Sequence, residues 1–277
     1  MADRPETEGG GVAGERICWQ CGETYGSEFE HCPEDGSQLV QLDPTETGDM
    51  LIRRVFDYRF RFFGKLGEGG MSRVYAARRV EGEGRVALKI LKADFLRDPE
   101  VRKRFMYEAR VISNLDHTNA VDLFDFGQAP DGSFYMVMEL LEGESLADRL
   151  DGGALTYREI FAFVPPICGV LDEAHQNDVI HRDLKPENIY LAEMGQPLPV
   201  PKLLDFGIAK HLRSRTMTKN DQLWGTPAYM SPEQAAGESV AGTADIYAMG
   251  VMLYELVSGV LPFRASTAMG FAVKHMH

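Results

Sequence analysis

His181-Arg182-Asp183-Leu184-Lys185-Pro186-Glu187-Asn188 places a carboxylate, an ammonium and an amide on one short loop. Asp205-Phe206-Gly207 adds a second carboxylate on a turn that can face that loop. Together these groups suit phosphoryl transfer. Asp183 can accept or orient the proton of an attacking hydroxyl, and Lys185 can steady charge on the migrating phosphoryl group. Asn188 and Asp205 are hard oxygen donors of the kind Mg²⁺ takes. Taken singly, each acid reads as a solvated loop carboxylate. The ordered set carries the argument.

Such groups need elements to position them, and the pattern supplies several upstream. Tyr58 to Leu66 alternates like a strand, with Tyr58, Phe60 and Phe62 expected on one face. It leads into Gly67-Glu68-Gly69-Gly70-Met71-Ser72-Arg73-Val74-Tyr75, a glycine-rich turn and return strand that can lay backbone N–H groups over phosphates. Val86-Ala87-Leu88-Lys89 reads as a further strand, and Phe105, Ala109, Ile112 and Leu115 mark the apolar face of a helix. Phe134 to Leu141 is a buried strand. Thr156 to Asn177 is a long helix that Pro165-Pro166 should kink, with Cys168 expected in its core.

In this order the motifs resemble those of the Hanks-type protein kinases, in their bacterial Ser/Thr branch, from about Tyr58 to the C-terminus. The resemblance implies an α+β, two-lobed fold: a small β-rich lobe at about 56–140 and a larger helical lobe at about 141–277, incomplete at its C-terminal end. It implies ATP and Mg²⁺ as cofactors and protein Ser/Thr hydroxyls as substrates. The glycine loop from Gly67 to Ser72 would cover the phosphates, with Ser72 where the third glycine usually stands, and Val74 and Ala87 would border the adenine. Glu108 matches the helix glutamate that pairs with Lys89, which in turn holds the α- and β-phosphates. Met138 would be the gatekeeper, the backbone of Glu139 to Leu141 would meet the purine edge, and Tyr190 would floor the adenine. Thr226, in Gly225-Thr226-Pro227, would bond Asp183 and Lys185, and Ser231 replaces the more usual alanine before Pro232-Glu233. Asp245 fits the aspartate that anchors the catalytic-loop backbone. Arg182 precedes the catalytic aspartate, so a phosphate on Thr216 or Thr218 could pair with it and order the intervening loop.

The rest of the chain bounds the reading. A net charge of −13 over 277 residues argues against nucleic acid or an anionic membrane as the main partner. No apolar run is long enough to span a bilayer, and the acidic, Gly-rich segment 1–14, expected to be disordered, does not look like a signal peptide. A cytoplasmic protein is expected. Cys18-Trp19-Gln20-Cys21-Gly22 and Cys32-Pro33-Glu34-Asp35-Gly36 resemble a zinc ribbon over 15–42, with Cys18, Cys21, Cys32 and Asp35 as candidate Zn²⁺ ligands and His31 as the alternative fourth. Residues 43–55 read as a linker into a kinase domain over 56–277. Kinases of this type continue through further large-lobe helices, one carrying an arginine that pairs with the glutamate matching Glu233. The apolar face of 245–261 is therefore expected to be exposed, in a fragment or a shortened product. Self-association for autophosphorylation in trans is the expected protein contact. The rival reading is a nucleotide-binding pseudokinase or scaffold with a zinc-dependent interaction module.

Overall fold

A computed structural model of the chain describes residues 16–18, 24–26, 28–34, 36, 39–41, 55–82, 84–206 and 227–277. The N-terminal strands β1 (Arg16–Cys18), β2 (Thr24–Tyr25) and β3 (Leu39–Gln41) form an antiparallel sheet in the order β2-β1-β3. Cys32 is buried there beside Leu39, and its Sγ donates to the Tyr25 hydroxyl at 3.3 Å. Cys21 and Asp35 lie outside the described residues, and Cys18 is described by its backbone alone. Among the described residues no group of three or more His, Cys, Asp or Glu converges on a metal position.

The small lobe is a six-stranded antiparallel sheet in the order β4-β5-β6-β7-β9-β8: β4 (Val55–Phe56), β5 (Phe60–Glu68), β6 (Ser72–Arg79), β7 (Arg85–Leu91), β8 (Leu123–Gln128) and β9 (Phe134–Glu139). Its first face is filled by Phe56, Phe60 and Phe62. Tyr58, expected on that face, is 84% exposed in the turn before β5, with φ of 55°. The turn spends two residues reversing the chain, so the apolar place falls to Phe56. A register shift between Phe62 and Gly64 then lets Phe63 be buried as well, in a second cluster with Ala76.

Helix α1 (Pro99–Ser113) is inserted between β7 and β8. Asp98 caps it by accepting from the amides of Glu100 and Val101, with Pro99 in the first turn. Val101, Phe105, Ala109 and Ile112 pack inward; Leu115 lies beyond the helix end.

The large lobe holds α2 (Leu146–Asp151), α3 (Tyr157–Gln176), a small sheet of β10 (Gly143–Ser145), β11 (Ile189–Ala192) and β12 (Val200–Leu203), then α4 (Pro232–Ala236), α5 (Thr243–Ser258) and α6 (Ala268–Met276). A capping box of Thr156 and Glu159 starts α3, which continues through Pro165-Pro166 to Asn177. Pro165 lies on the solvent side, where water can meet a carbonyl left without its amide. Cys168, expected in the core, is on that exposed side too. One main core joins the lobes, running from Phe105 and Met136 through Leu184 and Phe206 to Met252 and Leu256. Ile246, Leu253, Tyr254 and Val257 of α5 are exposed.

Candidate active site

Lys89 stands on β7 with its side chain only 7% exposed, 2.8 Å from Glu108 of α1 and 2.7 Å from Asp205. The register explains the aim. Lys89 lies opposite Val74 on one side and Met136 on the other, so the strand's pleat sets its direction. Glu108 is itself buried, one helical turn from Arg104 and Phe105 on the inward side of α1. Burial alone would lower the Lys89 pKa, but Asp205 and Glu108 more than offset it and hold the ammonium charged. Burial pushes the Glu108 carboxyl upward and Lys89 pulls it back.

The loop carrying Asp183 is held by its own backbone. Asp245, buried at the start of α5, accepts the His181 N–H at 2.9 Å and the Arg182 N–H at 2.8 Å, and meets His175 Nε2 at 2.8 Å. Arg182 has φ of 66°, a left-handed conformation that costs a non-glycine residue about 1–3 kcal/mol and must be over-determined by its surroundings. Gln234 supplies part of that constraint by donating to the Arg182 carbonyl at 2.8 Å. Buried Ser231 caps α4 in a box with Gln234, which orients the amide. His181 is fully buried and packs on the Phe206 ring at 5.1 Å. Asn188 donates Nδ2 to the Asp183 carbonyl at 2.8 Å, and the Leu204 amide donates to the Asn188 carbonyl at 2.9 Å. The Asn188 amide donates to the Lys185 carbonyl at 3.0 Å, so Asp183, Lys185 and Asn188 share one frame, which Leu204 joins to the segment carrying Asp205.

Over the cleft, β5 and β6 pair as far as Gly67 with Val74 and Glu68 with Arg73, and the Gly69 amide donates to the Ser72 carbonyl at 2.9 Å. Nothing lies within 4 Å of where a Cβ at Gly67 would stand, so neither packing nor φ requires glycine there. What remains is room for a close-lying group, as a phosphate cover needs. Glu68 is held by Lys65 at 2.8 Å, Lys92 at 2.5 Å and Arg73 at 3.4 Å, and its pKa falls to about 2 through the hydrogen bonds of Lys65 and Lys92. Ser72 is buried, while Met71 and Val74 pack partly against the main core; Gly70 lies in the turn.

Ala87 and Met138 are opposite each other on neighbouring strands. Glu139 ends β9, and Leu140 and Leu141 follow without regular structure. Tyr190 turns away from buried Ile189 and Leu191, its hydroxyl donating to the Gly143 carbonyl at 2.8 Å. Gly143 has φ of +139°, and a Cβ on it would stand 2.1 Å from the Leu191 carbonyl oxygen. Nothing in the sequence reading singled out Gly143, Lys202 or Gln234. Thr216, Thr218 and Thr226 lie outside the described residues. A cavity of about 750 Å³ between α1 and the 178–182 loop is lined by Arg102, Lys103, Arg104, Arg110 and Arg182 with a single carboxylate, Asp178.

Residues 60–277 match the protein kinase domain family model. The chain belongs to the protein kinase family. It is 39% identical over 237 residues to serine/threonine-protein kinase pkn3 of Myxococcus xanthus, covering 84% of this chain and 43% of that protein. Against PrkC of Bacillus subtilis (strain 168) the identity is 39% over 228 residues, 82% of this chain and 34% of the relative. Against Pkn1 of Myxococcus xanthus it is 37% over 269 residues, 94% of this chain and 38% of the relative. The chain therefore spans about a third to two-fifths of these relatives. The sheet-rich small lobe and helical large lobe described above are those of a two-lobed kinase fold. Among the described residues no helix is long and apolar enough to cross a membrane.

Proposed function

We propose that this chain is an ATP-dependent serine/threonine protein kinase that transfers the γ-phosphate to protein hydroxyls. The observation that carries the reading is the buried Lys89 ammonium between Glu108 and Asp205, in a chain whose 181–182 backbone Asp245 fixes. A charged lysine there suits the α- and β-phosphates. Asp183 orients and accepts the hydroxyl proton, and Lys185 offsets the charge of the transferring group. The donor chemistry fits Mg²⁺, because Asn188 and Asp205 offer amide and carboxylate oxygens and Asn188 Nδ2 is already engaged with Asp183. Held by Asn188 and Asp205, the ion would supply charge neutralisation at the phosphates. Gly67 to Ser72 with Val74 cover the nucleotide, while Ala87, Met138, Glu139 to Leu141 and Tyr190 border its base. By its place in the Gly225-Thr226-Pro227 motif, Thr226 would select a short aliphatic hydroxyl.

The basic cavity beside Arg182 supports regulation by a phosphate on Thr216 or Thr218, delivered by a second copy of the chain in trans. Cytoplasmic placement accords with an acidic composition and only four cysteines in 277 residues. The zinc reading rests on the paired Cys motifs in the sequence at 18–22 and 32–36 and on the Gly36 amide donating to the Cys32 carbonyl at 2.9 Å. Metal content per chain, before and after Cys18→Ser and Cys21→Ser, tests it; no zinc in the parent would sink it.

The function is tested by transfer of labelled γ-phosphate from Mg-ATP by the parent chain and by Asp183→Asn. Label on the parent alone is expected, with the variant down by about a hundredfold or more, as loss of a proton acceptor implies. Equal labelling of both would exclude the assigned role. ATP binding with no transfer by either would favour the scaffold reading.

A further inference from the structure

A second buried lysine lies outside the chemistry. Lys202 is on β12 and 5% exposed. Its ammonium donates to Glu139 Oε1 at 2.6 Å and to the Ala120 carbonyl at 3.3 Å. The same Glu139 oxygen accepts the Asp122 amide at 2.9 Å, and the Glu139 amide donates back to the Asp122 carbonyl at 3.0 Å. The 119–122 segment is in turn stitched to β12. The Leu203 amide donates to the Asn119 carbonyl at 2.7 Å, the Val121 amide to the Leu203 carbonyl at 3.0 Å, and Asn119 Nδ2 to the Pro201 carbonyl at 2.8 Å. Three stretches far apart in sequence thus meet at one ion pair: the end of β9, the link that follows α1, and the strand that leads into Asp205.

We infer that Glu139 and Lys202 are positioning residues, a strut between the lobes that sets the backbone of 139–141 at a fixed distance and angle from Asp205. The geometry gives the reason. Glu139 opens the stretch whose backbone would read the purine edge, while Lys202 is three residues before the carboxylate that meets Lys89. A base held at one end and phosphates held at the other need a constant span, and a nucleotide bound to both loses affinity when that span wanders. Packing alone could be served without charges, because a buried ion pair exchanged for apolar groups of similar volume is often neutral for stability. A directional pair with satisfied backbone partners fixes an orientation that apolar contact leaves freer.

The assignment rests on the kinase reading. Its test is the double variant Glu139→Gln/Lys202→Met, which removes both charges and keeps an amide oxygen for the Asp122 N–H. Mg-ATP affinity by calorimetry, melting temperature and hydrogen exchange at the 139–141 amides are compared with the parent. A melting temperature near the parent's is expected, with ATP binding weakened about fivefold or more and faster exchange at those amides. A stable double variant with parental affinity and exchange would overturn the strut, and so would one that fails to fold, since the pair would then serve stability alone. A parent chain that binds no ATP would overturn the kinase reading and the strut with it.

Discussion

Two lysines on strands are buried to the same degree, Lys89 at 6% and Lys202 at 5% exposure, yet their surroundings differ in kind. Lys89 faces two carboxylates, and the Asp205 side chain is 46% exposed at the cleft. Lys202 faces one carboxylate and a carbonyl in a closed setting, with Glu139 only 17% exposed. An ammonium with a solvent-facing partner can share its charge with an arriving phosphate. One enclosed by a single carboxylate and backbone cannot change partners without being left unpaired. Burial by itself does not distinguish a reacting site from a frame; the openness of the partner does.

That contrast can be broken at several points. The largest effect is expected for Lys89→Met, which removes the cation from the phosphates and strands Glu108. Phosphate transfer at saturating ATP should fall about 10²–10³-fold, read by labelled-phosphate kinetics. Transfer within a few-fold of the parent would mean that Lys89 belongs with Lys202 as a frame residue. Lys202→Met alone leaves Glu139 buried without its cation and should cost about 3–5 kcal/mol in denaturant unfolding. Its transfer rate at saturating ATP should fall far less than that of Lys89→Met.

Next in size is Gly143→Ala, where a left-side φ and a close Leu191 carbonyl both oppose a Cβ. A loss of about 1–3 kcal/mol is expected, and an unchanged melting curve would show that β10 can move off β11 freely. The smallest effect concerns Glu68, whose pKa is depressed to about 2 by Lys65 and Lys92. A depressed carboxyl contributes above its ordinary pKa, and that contribution is lost as pH falls through about 2. Carboxyl titration by NMR should place its midpoint there; one at the ordinary glutamate value would show the glycine loop is not clamped by these cations.

Legibility followed the range of the interaction. The start of the long helix was readable at Thr156, which caps an amide three positions away. Lys89, Glu108, Asp183, Asn188, Asp205 and Asp245 were readable because ordered motifs flank them; of these, Lys89 meets Glu108 and Asp205, Asn188 bonds the Asp183 carbonyl, and buried Asp245 holds the loop backbone. Tyr58 and Cys168 were misplaced for a shared reason. A period of apolar residues says which face is inside only if the element's start and the covering neighbour are known. A turn at 57–59 displaced the first, and the outer side of α3 took the second. Gly143 and Gln234 left no signal, since their partners are backbone groups of Leu191 and Arg182, many residues away.

By itself, then, the sequence determined the reacting groups, their order and the local caps, because those depend on residue type and short spacing. Only the tertiary structure decided that Asp205 would reach Lys89, that Lys202 would close on Glu139, and that Asp245 would hold Arg182 in a left-handed backbone. Those contacts join residues 63 to 116 positions apart (Lys202 − Glu139 = 63, Arg182 to Asp245 = 63, Lys89 to Asp205 = 116), and such pairings exist only once the lobes pack on a common core.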